Sequence, residues 1–332
     1  MVRPPLSESE LAARRRSFRR VVLFFGFVFL SAILFQAWRG WQLHHEAVGD
    51  GRTVASYRYD LSNLTVPSDL LVASGLPRDR RQTLVNPRSI TAEELEELNA
   101  QLGRRGSAWR IAVSNDIVLG VQVNGESRAY PVRFMQWHEI INDTLGGVPI
   151  AVTFDPLCAA AVVFDRRVAG EERLFGFSGL LYNSNLVMYD RHEARADESL
   201  WSQLAGRPIA GPAVAAGHAL EILPVFVGRF AAWREAHPKT TIFPGEESMK
   251  GQYKEGKYIA YYREGKPQFP VRPEPTADGP FKPFDMIRAV RTDQDWAIEP
   301  HDPQTATADP LDQATVICLW FAWHAIHSDD DR

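Results

Sequence analysis

The stretch IVLGVQVNGESRAYPV, residues 117–132, decides the fold. It holds two strand-like runs, 117–123 and 126–132, joined by Asn124-Gly125. Asn-Gly between such runs is the strongest short signal for a β-hairpin, because both residues tolerate the left-handed backbone of a tight turn. Further apolar runs predict strands at 148–154, 159–165, 173–178 and 186–189. We expect 159–165 and 173–178 to form a second hairpin around Ala169-Gly170, giving an α+β body with a largely antiparallel sheet.

A few short helices accompany these strands. Thr91-Ala-Glu-Glu94 is a capping box, and leucines follow it at helical spacing, which predicts a helix over 92–102. Pro131 suits the first turn of a helix and predicts one over 132–142. Residues 200–204 are expected to form a helical turn. Residues 244–315 are rich in Pro, Gly and charge, and they predict long loops with short strands such as 258–262.

A small repeat links residues 230–237 and 320–327. Each segment places a histidine four residues after a tryptophan, as in Trp233 with His237 and Trp323 with His327. Residues four apart share one face of a helix. The repeat indicates either a matched pair of sites or two amphipathic helices that pack a tryptophan inward.

Composition and charge exclude several classes of protein. The chain has 332 residues and a formal charge of −4, yet residues 1–20 carry six arginines against two glutamates. The acidic remainder argues against a body that binds nucleic acid, which would need a basic face. A hydrophobic content of 45% excludes a disordered chain. Two cysteines exclude a disulfide scaffold and a four-cysteine zinc site.

Residues 21–38, VVLFFGFVFLSAILFQAW, are uncharged and just long enough to cross a bilayer. The arginines before this span predict a cytoplasmic N-terminus and a body on the outer face of the cytoplasmic membrane. A cleaved signal peptide is the alternative, although the run is long and no clear A-x-A site follows it. The expected organisation is a basic tail (1–20), a signal anchor (21–38), a linker (39–66) and an extracytoplasmic domain (67–332) with its core at 117–212.

Polar side chains crowd the stretch between residues 130 and 203. If 132–142 is helical, His138 and Asn142 lie one turn apart on the same face. Polar groups this dense among core-like strands need partners when they are buried, so they form a site or a structural network. The candidate site residues are His138, Asn142, Asp143, Asp155, Cys158, Asn183, Asn185, Met188 and Gln203.

Four segments carry a family resemblance, and they are AYPVRFMQWHEIINDTLGGVPIAVTFDPLC (129–158), AVVFDR (161–166), FGFSGLLYNSNLVMYDR (175–191) and SLWSQLAGRPIAGP (199–212). Together they resemble the signature of the bacterial and archaeal family called domain of unknown function 3179. The resemblance runs from about residue 70 to 238 and more faintly to the end of the chain. It implies no activity, but it implies an export signal or membrane anchor, as members of the family often carry one.

The resemblance also marks a departure from the family. The family pattern is aromatic-Cys-Pro-x-Cys, whereas this chain has Asp155 at the first cysteine and only Cys158 matches. A local dithiol switch is therefore impossible here. Cys158 and Cys318 both lie in apolar runs, where free buried cysteine is common, so no bond between them is expected.

Three functions stay open. The first is a copper or zinc site with His138, Asp155 and Cys158 as ligands and Met188 or Asn185 nearby. The second is a pocket for a small polar ligand of the cell envelope, since pockets combine aromatic walls with a few polar groups. Its lining would be Asn142, Asn183, Asn185, Gln203, Trp137 and Trp201. The third is a scaffold subunit for a protein partner in the envelope, with the polar residues as a satisfied network.

The common catalytic motifs are absent from the sequence. It has no G-x-S-x-G elbow, no phosphate-binding P-loop and no G-x-G-x-x-G. His138-Glu139 begins like H-E-x-x-H, but Asn142 stands at the second histidine position. The sequence therefore leaves open whether the protein is an enzyme.

Overall fold

The structure is a computed structural model that describes residues 25–26, 29–31, 48–107, 109–253, 256, 258–293, 295–308 and 311–328. Residues 48–332 form one compact unit, so residues 48–66 of the expected linker belong to that unit. The basic tail 1–20 and most of the predicted span 21–38 lie outside the described residues. Among the residues that are described, no helix is both long and apolar enough to cross a membrane.

The body is built mainly of short strands, as the hydrophobic patterning predicts. The strands are β1 (Leu71–Ala73), β2 (Leu84–Val85), β3 (Ile117–Val123), β4 (Glu126–Pro131), β5 (Ile140–Leu145), β6 (Val148–Asp155), β7 (Ala160–Asp165), β8 (Arg167–Val168), β9 (Glu171–Glu172), β10 (Phe175–Tyr182), β11 (Asn185–Asp190), β12 (Leu200–Ser202), β13 (Arg207–Ala210), β14 (Glu221–Leu223), β15 (Phe226–Arg229), β16 (Thr241–Ile242), β17 (Met286–Arg291), β18 (Trp296–Pro300) and β19 (Thr315–Leu319). The helices are α1 (Ala92–Arg104), α2 (Val132–His138), α3 (Pro212–Ala215), α4 (Phe230–Ala236), α5 (Ile259–Glu264) and α6 (Trp320–His327), and 3₁₀ turns cover Val54–Tyr57, Arg195–Asp197 and Glu247–Met249.

These strands form three main sheets. The largest runs β18-β17-β19-β7-β6-β5-β2, with β14 paired to β7, and the second runs β1-β10-β11-β12-β13. The third runs β15-β3-β4-β16. Pairing is antiparallel except between β2 and β5 and between β4 and β16. The expected α+β body with a largely antiparallel core is therefore confirmed.

The hairpin at 117–132 is confirmed as β3 and β4, paired from Val118 with Pro131 to Val123 with Glu126. Asn124 has a φ of 49° and Gly125 a φ of 82°, which is the left-handed geometry that their turn requires. The prediction of this element succeeded because local turn chemistry and strand patterning agree.

The second predicted hairpin is smaller than expected. Ala169-Gly170 does form a left-handed turn, but it joins only the two-residue strands β8 and β9. Strand β7 instead pairs with β6 in the largest sheet, and β10 pairs with β11 in the second sheet. The prediction failed because the sequence of two apolar runs around a turn does not determine which other strand each run pairs with.

The predicted helix 132–142 is wrong beyond its first two turns. Helix α2 ends at His138, and Glu139 leaves it with φ 60° and ψ −34°. The chain then enters β5, where Ile140 and Ile141 are fully buried. β-Branched residues favour a sheet buried on both faces over a helix end. His138 and Asn142 therefore do not share a helix face.

Two further elements differ from the prediction. Residues 200–202 form strand β12 rather than a helical turn, because Leu200 and Trp201 both pack into buried cores. Residues 259–264 form helix α5 rather than a strand. Gly265 ends that helix with a φ of 64°, a left-handed position that a glycine accepts without strain.

The remaining helical predictions are confirmed. Helix α1 begins with the capping box of Thr91 and Glu94. Both tryptophans lie in helices that follow directly after a strand; His327 ends its helix, and His237 is the residue after the other. In each pair the two rings lie 3.9 Å apart between centroids. Trp233 is fully buried and Trp323 is 3% exposed. The geometry matches two helices that pack a tryptophan inward.

Candidate functional site

Three of the predicted site residues form a hydrogen-bonded network between two sheets. The carboxylate of Asp155 accepts hydrogen bonds from the Asn185 side-chain amide at 3.0 Å and from the Leu186 backbone N–H at 2.8 Å. Its other oxygen accepts from the Leu157 N–H at 2.8 Å. Asn185 also donates to the Gln203 side-chain oxygen at 2.8 Å. Every member is buried and partnered, so this network ties strands together.

Cys158 lies beside that network. Its thiol donates to the Ser184 carbonyl at 3.3 Å, and it is free and fully buried. Burial, with the nearby Asp155 carboxylate as the second cause, raises the pKa of Cys158 well above its usual range. The group is thus a neutral thiol, whereas metal binding and nucleophilic attack need the thiolate.

Asn142 and Asp143 link β5 to neighbouring strands, Asn142 to β10 and Asp143 to β4. The Asn142 amide donates to the Phe175 carbonyl at 2.9 Å and accepts from the Phe175 N–H at 2.8 Å. Asp143 forms an ion pair with Arg128 at 2.6 Å and accepts the Tyr130 hydroxyl hydrogen at 2.7 Å. Both side chains therefore have structural partners.

His138 lies in a different environment from Asp155 and Cys158. Its Nδ1 lies 2.7 Å from the Gln82 carbonyl, which can only accept, so Nδ1 carries the proton. Its Nε2 accepts from the Tyr253 hydroxyl at 2.5 Å, and the Tyr253 oxygen accepts from the Glu246 N–H at 2.9 Å. Burial lowers the pKa of His138, so the ring stays neutral.

The last two predicted residues are structural as well. The Asn183 amide donates to the carbonyls of Arg272 and Ala325 and accepts the Arg272 N–H, so it pins distant segments to the turn after β10. Met188 is fully buried opposite Phe177 and Trp201 in the second sheet.

The structure does not bring together the proposed metal ligands. Asp155 and Cys158 are neighbours, but the ring of His138 is committed to Gln82 and Tyr253. Within the part of the chain that is described, no three His, Cys, Asp or Glu side chains converge as a metal would require. A copper or zinc centre therefore has no ligand set in the described body.

A cavity of about 270 Å³ opens next to the Asp155–Cys158 turn, and we name it the Glu139 cavity. Its polar lining comes from Ser74, Arg81, Glu139, Asp155, Tyr258 and Gln268. Its apolar lining comes from Leu76, Pro156, Leu157, Phe177, Leu181 and Phe269. Of the predicted site residues only Asp155 lines it. The asparagines, Gln203, Trp137 and Trp201 proposed as pocket walls do not.

The polar wall of the Glu139 cavity centres on an ion pair. Arg81 Nε lies 2.8 Å from a carboxylate oxygen of Glu139, and the two side chains are 13% and 7% exposed. Arg81 also donates to the Tyr258 hydroxyl at 3.2 Å, and its guanidinium lies 5.8 Å from the Trp137 ring. The backbone of Glu139 has a positive φ, a conformation that costs a non-glycine residue about 1–3 kcal/mol. The surrounding fold therefore imposes the backbone conformation from which the Glu139 side chain reaches Arg81.

Tyr258, which directly precedes helix α5, belongs to the lining of the same cavity. The Tyr262 hydroxyl donates to the Pro156 carbonyl at 2.6 Å, which fastens the helix to the Asp155–Cys158 turn. Burial raises the pKa of Tyr258 to about 12, so its hydroxyl keeps its proton at neutral pH. The cavity thus combines a guanidinium, a carboxylate, a hydroxyl and an amide with aromatic and aliphatic walls.

Sequence reasoning missed Arg81, Glu139, Tyr258 and Gln268. Arg81 and Gln268 lie in loops far from the crowded polar stretch, and Tyr258 precedes a helix that was predicted as a strand. The one available signal was Glu139, a charged residue directly before the apolar pair Ile140-Ile141. A prediction that the helix ends and a strand begins at Glu139 would have shown that this charged residue lies at a junction between two elements.

The comparison with known families identifies one match. The model of a family described as protein of unknown function (DUF3179) matches residues 107–295. That range includes Glu139, Asp155, Tyr258 and Gln268 of the cavity wall, while Arg81 lies before it. No curated protein and no solved structure matches the chain.

Proposed function

The chain belongs to the DUF3179 family of proteins of unknown function, and we propose that this member binds a small neutral polar molecule, such as a monosaccharide, in the Glu139 cavity. The observation that carries the proposal is the buried Arg81–Glu139 ion pair in the wall of that cavity. A fixed donor and a fixed acceptor side by side suit a ligand that offers both, as a sugar hydroxyl does.

The charges of the wall support a neutral ligand. Arg81 and Glu139 neutralise each other at 2.8 Å. Asp155 accepts from two backbone N–H groups and from Asn185, and burial raises its pKa, which disfavours its negative charge. An ionic ligand would leave one charge of the wall without compensation, and a buried unpaired charge is expensive.

The size and walls of the cavity point the same way. A cavity of about 270 Å³ lies just below the range of about 300–1,000 Å³ that drug-sized ligands occupy. Phe177 and Phe269 supply flat apolar surface, while Gln268 and Tyr258 supply polar groups. Pockets of this kind orient a small ligand by a few convergent hydrogen bonds.

The test uses the full chain in lipid nanodiscs. Thermal unfolding and titration calorimetry are recorded with glucose and N-acetylglucosamine as neutral probes and with glutamate and lysine as charged probes. We expect saturable binding of a neutral probe that raises the melting temperature, because a ligand that binds only the folded state stabilises it. Tyr258→Phe and Gln268→Ala should each weaken that binding by roughly 2- to 10-fold, the effect of one neutral hydrogen bond.

The matched control is Glu96→Gln. Glu96 is also paired with an arginine, Arg234, at 2.6 Å, but that pair lies on the surface away from the cavity. The control should bind the probe as the parent chain does. The proposal fails if no probe binds, if only charged probes bind, or if binding survives both cavity substitutions. Failure of all probes would favour the scaffold function.

We also propose that residues 21–38 anchor the body on the outer face of the cytoplasmic membrane, which rests on the sequence alone. An alkaline phosphatase fused after residue 328 should be active, and the chain should resist alkaline carbonate extraction. Replacing the six arginines of residues 1–20 by glutamate should reduce that activity, since flanking positive charge sets orientation. An inactive fusion, or a mature chain that begins after residue 38, would contradict the anchor.

A further inference from the structure

A larger cavity, of about 430 Å³, lies between helix α1 and the segment 244–250, and we name it the Trp109 cavity. It shares no lining residue with the Glu139 cavity. Its walls are mostly apolar and include Ile90, Leu98, Leu102, Trp109, Ile111 and Pro244. Ile90 and Ile111 are core residues at 1% and 5% exposure, so the floor of the cavity is continuous with the hydrophobic core.

The rim of the Trp109 cavity carries an excess of positive charge. Arg88, Arg105 and Lys250 lie on it, against Glu246 and Glu247. Lys250 is paired with Glu247, and Arg88 lies 3.6 Å from Glu94. Arg105 has no ion pair or side-chain hydrogen bond with any residue of the described ranges. One cation at the mouth is therefore available to a ligand.

The cavity wall also holds an unsatisfied donor. Trp109 Nε1 is buried and has no hydrogen-bond acceptor among the described residues. A buried donor without an acceptor is destabilising, so a ligand oxygen that reaches this N–H would be stabilised by it. The Trp109 ring itself lies 5.2 Å from the ammonium of Lys250, which keeps positive charge over the apolar wall.

We infer that the Trp109 cavity binds an amphipathic carboxylate, a fatty acid with a medium-length hydrocarbon chain. The hydrocarbon chain would pack along Ile90, Leu98 and Leu102, where burial of apolar surface is favourable. The carboxylate would lie at the rim, where Arg105 offers a charge-assisted hydrogen bond. This site is independent of the ligand proposed for the Glu139 cavity.

The test measures octanoate binding to the full chain in phosphatidylcholine nanodiscs by titration calorimetry, with empty nanodiscs subtracted. Octanol and octylammonium have the same chain with a neutral and a positive head. We expect saturable octanoate binding, at least 10-fold weaker binding of octanol, and weaker binding still of octylammonium. The titration is repeated in nanodiscs that also contain phosphatidylglycerol, whose anionic headgroup could compete for the site. An unchanged affinity for octanoate assigns the site to a free acid rather than to a lipid headgroup.

Three variants distinguish octanoate binding in the Trp109 cavity from nonspecific binding elsewhere on the protein. Arg105→Glu reverses an exposed charge at the rim and should weaken octanoate binding at least 10-fold. Trp109→Phe keeps an aromatic wall but removes the N–H, and should weaken it several-fold. Arg207→Glu reverses an exposed charge on β13 and should leave it unchanged.

The inference is overturned if octanoate does not bind, or if Arg105→Glu and Trp109→Phe bind it like the parent chain. It is also overturned if octylammonium binds as tightly as octanoate. Tyr258→Phe changes only the Glu139 cavity and should leave octanoate binding unchanged. Failure of this inference can therefore be distinguished from failure of the function proposed for the Glu139 cavity.

Discussion

Asp155, the last residue of β6, accepts a 3.0 Å hydrogen bond from the side chain of Asn185, the first residue of β11. Because β6 belongs to the largest sheet and β11 to the second sheet, this bond joins the two. The backbone N–H of Leu186 adds a second link at 2.8 Å. The polar residues Asp155 and Asn185, which the sequence predicts as part of a functional site, thus form a structural joint between the two sheets.

The first prediction follows from that joint. Asp155→Ala removes the acceptor of three buried donors, and each unsatisfied buried donor costs about 1–3 kcal/mol. We expect the free energy of unfolding to fall by about 3 kcal/mol or more in urea titrations of the full chain. Asp60→Ala is the matched control. Asp60 is exposed and accepts the Ser62 N–H at 2.9 Å, so its loss should change stability by less than about 1 kcal/mol. Equal stability of the two variants would contradict the structural role of Asp155.

The second prediction concerns pH. Burial lowers the pKa of His138 in the folded chain below its ordinary value of 6.5. As the pH falls through 6.5, His138 becomes protonated in the unfolded chain but stays neutral in the folded chain. The free energy of unfolding therefore falls until the pH reaches the pKa of His138 in the folded chain. The slope is at most about 1.4 kcal/mol per pH unit.

The measurement is urea unfolding at several pH values between 5 and 7.5. The difference in unfolding free energy between the parent chain and His138→Gln should shrink as the pH falls, because only the parent loses this contribution. Leu95→Ala, which deletes buried apolar surface but keeps His138, should retain the slope of the parent chain. A constant difference for His138→Gln would show that burial does not perturb this ring.

The third prediction tests the backbone at Glu139. Its φ of 60° is strained for a side-chain-bearing residue and free for glycine. Glu139→Ala and Glu139→Gly both remove the ion pair with Arg81, so their difference isolates the backbone. We expect the glycine variant to be more stable by about 1 kcal/mol in urea unfolding. At exposed Glu97 in helix α1 the order should reverse, with alanine more stable by about 1 kcal/mol. The same order at both positions would mean that Glu139 is not strained.

The fourth prediction tests the packing of the Trp-His repeat. A Cβ on Gly120 would lie 2.3 Å from the ring of Trp233, which is fully buried and donates to Thr240 at 2.8 Å. Gly120→Ala should therefore lower the unfolding free energy by about 1–3 kcal/mol, the usual effect of overpacking. Gly251→Ala, where a Cβ meets nothing within 4 Å, should change it by less than about 0.5 kcal/mol. A neutral Gly120→Ala would show that α4 can move away from β3.

Elements with a local cause were predictable from the sequence. The Asn124-Gly125 turn, the capping box at Thr91 and Glu94, and the two Trp-His helices are specified by residues within a few positions of each other. Helix α2 was predicted too long, because Glu139 takes a backbone conformation that only the surrounding fold imposes.

The site was less predictable than the fold. The sequence singles out Asp155 and predicts it as a metal ligand, whereas its carboxylate accepts hydrogen bonds from backbone and amide donors. The Glu139 cavity draws on Arg81, Tyr258 and Gln268, which are separated from the crowded polar stretch by dozens of residues. No local pattern links them.

By itself the sequence determined the class of fold, the family, the first hairpin and the position of the apolar span, since each depends on spacing and composition over short windows. Only the tertiary structure decided which strands pair and which polar residues are saturated. It also decided where space remains for a ligand. Those outcomes depend on contacts between residues far apart in the chain, such as Asp155 with Asn185 and Arg81 with Tyr258, because burial and hydrogen bonding are settled when distant elements pack.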